Sequence, residues 1–143
     1  MADANGNEDH LSLVLFSGTD DKLTAASILV AGAAALGKRV DILLQYWALE
    51  AFQKDHLKKD HGLSAEAGAD GASRLWRASE RRGADHWSAT LRQAKDLGDV
   101  RVHACAHSME LFRLEQGDLD DLVDDVSGVA AFMADAEGQM VFV

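Results

Sequence analysis

Three side chains with sulfur or metal chemistry lie close together in the stretch VRVHACAHSMEL: His103, Cys105 and His107. Cys105 is the only cysteine of the chain and stands where an apolar run ends and a helix-forming run begins. The N–H groups and dipole of a helix N-terminus favour a thiolate, the nucleophilic form of cysteine. A free cysteine is also among the most buried residue types and often only fills a core. Both interpretations of Cys105 are open at this point.

The two neighbouring histidines have different expected roles. His103 and Cys105 are two residues apart, so they face the same side of an extended strand, and a charged imidazole nearby would favour the thiolate. We nevertheless expect His103 to be a hydrogen-bonded core or interface residue and His107 to face solvent in the first turn of the helix. Zinc takes cysteine and histidine ligands, but a strand running into a helix does not point all three groups at one ion. We therefore predict no metal site.

Other chemistry-bearing motifs are absent from the sequence. It contains no GxGxxG, no GxxxxGK[ST] and no GxSxG, so neither a phosphate-binding loop nor an esterase nucleophile is indicated. We predict that no cofactor is needed.

Composition limits the class of protein. The chain has 143 residues, 48% hydrophobic, with a net charge of -10, which suits one acidic domain and argues against nucleic acid or an anionic membrane as partner. A single cysteine excludes an internal disulfide, and the polar N-terminus does not look like a signal peptide. We expect a cytoplasmic protein with a disordered lead-in at residues 1–9 and a single domain at residues 10–143.

Strand-like and helix-like segments alternate along that domain. The apolar runs predict strands, the segments between glycines predict helices, and residues 60–84 form a variable excursion with at most a short helix at residues 75–81. This alternation predicts an α/β fold: a three-layer α/β/α sandwich with a mostly parallel sheet of four to five strands. The predicted strands are residues 10–18, 38–47, 99–106 and 139–143, with a short strand or turn near 126; the predicted helices are residues 19–37, 48–62, 85–98, 107–114 and about 129–138.

The elements place the candidate site at one edge of the sheet. Ligands of open α/β sheets bind outside the carboxyl ends of the strands, where the loops SGTDDK, QYWALE and ACAHSME should meet. The candidate pocket around Cys105 therefore comprises residues from all three loops and the neighbouring strand: Gly18, Trp47, His103, Ala106, His107 and Met109.

Three stretches resemble the DsrE/DsrF-like family of small sulfur-relay proteins, especially its DsrE2-type branch. They are LSLVLFSGTDDKLTAASILVAGAAALGKRVDILLQYWALEAF, VRVHACAHSMELFRL and VSGVAAFMADAEGQMVFV. The resemblance implies homo-oligomers and a sulfurtransferase or sulfur carrier. It places the family's reactive cysteine on Cys105, which would accept sulfane sulfur from a donor protein as a persulfide and pass it to an acceptor protein.

Two other functions fit the residues. The first is a non-catalytic oligomeric α/β binding module in which Cys105 fills the core. The second is a thiol peroxidase, which would need a resolving thiol from another molecule.

Overall fold

The computed structural model describes residues 9–143. Five strands form one all-parallel sheet in the spatial order β4-β3-β2-β1-β5. The strands are β1 (His10–Leu15), β2 (Arg39–Leu44), β3 (Val100–Cys105), β4 (Asp125–Ser127) and β5 (Gln139–Phe142). The predicted α/β sandwich with a parallel sheet is confirmed. The disordered lead-in was predicted for residues 1–9, and residues 1–8 lie outside the described residues.

Six α-helices connect the strands within residues 9–143. They are α1 (Asp20–Ala35), α2 (Tyr46–Ala51), α3 (Gly71–Arg82), α4 (Trp87–Leu97), α5 (Ala106–Leu111) and α6 (Val129–Asp135), and short 3₁₀ turns lie at Ala65–Ala67 and Gln116–Asp118. None of these helices is both long and apolar enough to cross a bilayer.

The two faces of the sheet are covered unequally. One face carries the main core, in which Leu13, Ile42 and Val102 pack under α1 and α4. The opposite face is packed against α6, where Phe132 contacts Leu43 and Cys105. Phe132 is the only buried residue of α6. The second helical layer is therefore thin, and Phe132 is the one side chain that it buries against the sheet.

The prediction of a helix over residues 48–62 is wrong beyond the first turn of that segment. The helix ends at Ala51 because the following backbone pairs with a distant segment: Lys54 N–H donates to the Asp118 carbonyl at 2.9 Å, and Asp120 N–H donates to the Phe52 carbonyl at 2.8 Å. Asp55 then takes a positive φ of 64°, which a helix does not tolerate. Tertiary hydrogen bonds replace those of the amphipathic helix that the sequence pattern favours.

The excursion holds more regular structure than expected. Helix α3 runs from Gly71 to Arg82, against the short helix predicted at residues 75–81, and ends at Gly83 in the left-handed conformation. Its only buried residue is Gly71, and Trp76 is half exposed. The helix therefore lies on the outside of the domain, with its large apolar side chains partly exposed.

Candidate functional site

Cys105 lies at the end of β3 and is the N-cap residue of α5. The expected junction of strand and helix is therefore present. Its sulfur is not open to solvent, however, because Cys105 is 0% exposed and packs against Leu43, Phe132 and Val14. The thiol is therefore at the predicted junction but is buried, as a core-filling cysteine would be. The side chain points to the face under α6, and that helix covers it.

One polar side chain reaches the sulfur. Gln45 follows the last residue of β2, and its Nε2 donates to Cys105 Sγ at 3.8 Å, a weak bond to a large acceptor. Gln45 is not among the predicted site residues, although its place directly after a buried strand puts it at the same edge as Cys105.

The backbone after Gln45 is held in an uncommon conformation. Tyr46 has a φ of 49°, rare for a bulky residue. Its N–H donates to Ser108 Oγ at 3.2 Å, and Ser108 is fully buried in α5. This contact ties the loop after β2 to the helix after β3. A strained backbone conformation persists only where the surrounding structure holds it, and such residues cluster at functional sites.

Gly18 and Trp47 approach each other closely at the same edge. A Cβ atom on Gly18 would stand 2.4 Å from the Trp47 carbonyl oxygen, so only glycine fits without movement of the backbone. Both residues line a groove of about 590 Å³ beside the excursion. Cys105 does not line that groove. Gly18 and Trp47 are thus brought together, but not around the sulfur.

The remaining predicted residues are dispersed around the α5 helix. Ala106 and His107 are exposed, which agrees with the expected position of His107. Met109 is 6% exposed and belongs to the main core rather than to the small cluster around the thiol. Trp47 and Met109 therefore do not shield Cys105; Val14, Leu43 and Phe132 do.

His103 is held by two carboxylates, one from each neighbouring strand. Its Nε2 donates to Asp41 Oδ1 at 2.7 Å and its Nδ1 donates to Asp125 Oδ1 at 2.5 Å. The Asp41 hydrogen bond raises the pKa of His103, and the bond to Asp125 adds to this against the opposing effect of burial. Carboxylates only accept hydrogen bonds, so the imidazolium form of His103 satisfies both contacts and joins β2, β3 and β4.

Asp41 is the centre of this network. Burial alone would raise the pKa of Asp41, but hydrogen bonds from His103 and His10 and the charge of Arg39 outweigh it and lower the pKa from 3.8 to about 2. His10 donates from Nε2 at 2.8 Å, and its Nδ1 accepts the N–H of Glu137 at 3.2 Å. The network is a structural ion cluster, and its member His103 lies two residues before Cys105 on the same face of β3. Within residues 9–143, no group of histidine, cysteine and acidic side chains is arranged to hold a metal ion.

Aromatic side chains form a contiguous cluster where the strands end. Phe16 follows β1, Tyr46 and Trp47 follow β2, and Phe112 follows α5; with Phe142 of β5, their ring centroids are 5.3 to 6.3 Å apart. Trp47 is 51% and Phe142 66% exposed. Of this aromatic cluster, only Trp47 is among the predicted site residues. The others come from separate loops, which only the sheet order brings together.

Comparison with known proteins supplies a family assignment. Residues 7–72 match the model of the DsrE/DsrF/DrsH-like family. The chain is 31% identical over 146 residues to the uncharacterized protein YrkE of Bacillus subtilis, covering 88% of this chain and 90% of that one.

Two solved structures share the fold. The protein of unknown function MTH1491 from Methanobacterium thermoautotrophicum has a TM-score of 0.56 at 12% identity, covering 95% of this chain and 100% of its own. The ychN protein of E. coli has a TM-score of 0.55 at 12% identity, covering 94% of this chain and 97% of its own. At this identity the likeness concerns the fold alone.

Proposed function

Because the chain belongs to the DsrE/DsrF/DrsH-like family, we propose that it is a sulfur carrier or sulfurtransferase that holds sulfane sulfur on Cys105. The observation that supports this most is the position of Cys105, at the junction of β3 and α5 with the Gln45 amide directed at its sulfur. A thiol that only fills a core needs neither the junction nor the amide.

The transfer consists of two exchanges at sulfur. The Cys105 thiolate attacks the sulfane sulfur of a donor persulfide; the new bond joins Sγ to that sulfur, and the donor's S–S bond breaks to release the donor thiolate. An acceptor thiolate then attacks the outer sulfur, and Cys105 leaves as a thiolate. No net oxidant or reductant is consumed. Gln45 Nε2, the side-chain donor that reaches the sulfur, stabilises its anionic form, and no cofactor takes part.

Access to the sulfur requires α6 to move, since Cys105 is 0% exposed. Phe132 is the only buried residue of α6, and the other residues of the helix are exposed. Segments with few buried contacts open locally at much lower free energy than the whole domain. In this proposal α6 opens to admit a donor or acceptor and closes to protect the persulfide from water.

Partner proteins are expected at the aromatic cluster. Trp47 and Phe142 are exposed there, on the edge where β3 ends in Cys105, and aromatic residues are enriched at protein interfaces. Donor and acceptor proteins, rather than nucleic acid or membrane, are the partners in this proposal. Self-association into a homo-oligomer stays a prediction, which analytical ultracentrifugation tests.

A binding module without sulfur chemistry is the second candidate. The complete burial of Cys105 against Leu43 and Phe132 favours it, because a small apolar filler would look the same. In that case polysulfide leaves the protein unchanged under native conditions.

Intact-mass spectrometry after treatment with polysulfide separates the two functions. A sulfur carrier gains the mass of one or more sulfur atoms, loses it to added thiol, and gains nothing as Cys105→Ser. The matched control is Ser127→Ala. It alters the β4 residue that pairs with Cys105 but leaves the thiol in place. No gain in the native protein, with a gain only after unfolding in urea, refutes the carrier.

A further inference from the structure

We propose that a second site, distinct from the thiol, binds a small oxyanion in a pocket beneath α6. The pocket has a volume of about 230 Å³. Its floor is the face of the sheet that α6 covers, with residues from β1 to β4, and its roof is formed by Phe132 and the neighbouring residues of α6. Neither the family nor the sulfur chemistry assigns a role to this pocket.

Ser12 is the observation that points to a ligand. The side chain lines the pocket and is 1% exposed, and its Oγ has no hydrogen-bond partner among residues 9–143. A buried hydroxyl without a partner is unfavourable, and most such groups are paired. The hydroxyl of Ser12 therefore remains available for a polar molecule inside the pocket.

A cation does not fit this pocket. Asp41 is the buried carboxylate of the floor, and it already accepts from His10, His103 and Arg39. Asp125 accepts from the His103 imidazolium. Asp41 and Asp125 are thus paired with groups of the protein itself, and Asp135, the third acidic residue of the lining, is exposed at the rim.

Hydrogen-bond donors remain unused at the pocket's rim. Arg39 Nε donates to Asp41, and Arg39 Nη2 is 4.0 Å from the exposed Asp135. Arg101 approaches Asp99 only to 3.6 Å. The terminal nitrogens of two guanidinium groups, together with Ser12, offer the planar, charged donors that suit a carboxylate or a tetrahedral oxyanion.

Titrations with sulfate and with acetate at constant ionic strength, monitored by ¹H–¹⁵N NMR, test the site. Saturable shifts of Ser12 and Arg101 are expected. The Ser12→Ala and Arg101→Gln variants should each weaken binding by roughly tenfold, the loss of one charge-assisted hydrogen bond. Whichever of the two anions binds more tightly identifies a tetrahedral or a planar ligand.

Controls separate this site from the thiol and from general charge. Arg82→Gln removes an exposed arginine of α3 outside the pocket and should leave the affinity unchanged, as should Cys105→Ser. Ser12→Ala removes only an unpartnered hydroxyl, so it is expected to fold; its NMR spectrum verifies this. Shifts that do not saturate, or equal affinity in Ser12→Ala, Arg101→Gln and Arg82→Gln, would overturn the inference.

Discussion

Replacing Phe132 by alanine should expose Cys105 without unfolding the domain. Phe132 is 5% exposed and is the only buried residue of α6, and it packs directly against Cys105 and Leu43. The helix has seven residues, too few to be stable without tertiary contacts. The side chain of Phe132 therefore accounts for most of the free energy that keeps α6 closed over the thiol.

The magnitude follows from that burial. Burying a phenylalanine side chain contributes about 1.5–3 kcal/mol, and each 1.4 kcal/mol changes an equilibrium tenfold. If α6 opens and closes faster than the reagent reacts, the labelling rate is proportional to the open population. Phe132→Ala should therefore raise the alkylation rate of Cys105 by roughly 10- to 100-fold.

The assay is iodoacetamide labelling followed by intact mass, over a range of low urea concentrations. A local opening exposes little surface, so the rate should depend weakly on urea, whereas global unfolding gives the full dependence. Met133→Ala is the matched control, because Met133 lies in the same helix and is 52% exposed. An unchanged rate in Phe132→Ala, or an equal increase in Met133→Ala, would refute α6 as the barrier.

The remaining predictions concern stability. The low pKa of Asp41 stabilises the fold by about 2 kcal/mol above pH 3.8, and this stabilisation is lost as the pH falls toward about 2. The urea midpoint of the native protein should therefore fall over this range, and that of Asp41→Asn should depend less on pH. The raised pKa of His103 contributes stability that is fully present below pH 6.5 and is lost as the pH rises through its folded-state pKa. The urea midpoint of the native protein should therefore fall over that pH range, and that of His103→Asn should not. The same pH dependence in both proteins would contradict a charged His103. Gly18→Ala should cost roughly 1–3 kcal/mol in urea unfolding, because its Cβ meets the Trp47 backbone. Gly32→Ala, with nothing within 4 Å of the new Cβ in α1, should stabilise by up to about 1 kcal/mol, and equal effects of the two changes would contradict the packing argument.

Local patterns were sufficient for the class of fold. Continuous apolar runs such as residues 10–15 and 39–44 predict buried strands, and helical segments bounded by glycines predict the crossovers between them. Parallel pairing follows from that alternation. The same patterns failed at residues 52–62, where helix-forming residues instead pair their backbone with residues 118–120, since a pattern along the chain carries no information on a distant partner.

The sequence by itself determined that one cysteine lies at the end of a strand, precedes a helix, and shares a strand face with His103. Only the tertiary structure decided which face that is and what covers it. Phe132 reaches the thiol because β4 and β5 lie at opposite edges of the sheet, so the chain between them must cross the face on which Cys105 points. The partners of the sulfur are therefore set by strand order, because residues far apart in sequence meet only when the sheet has formed.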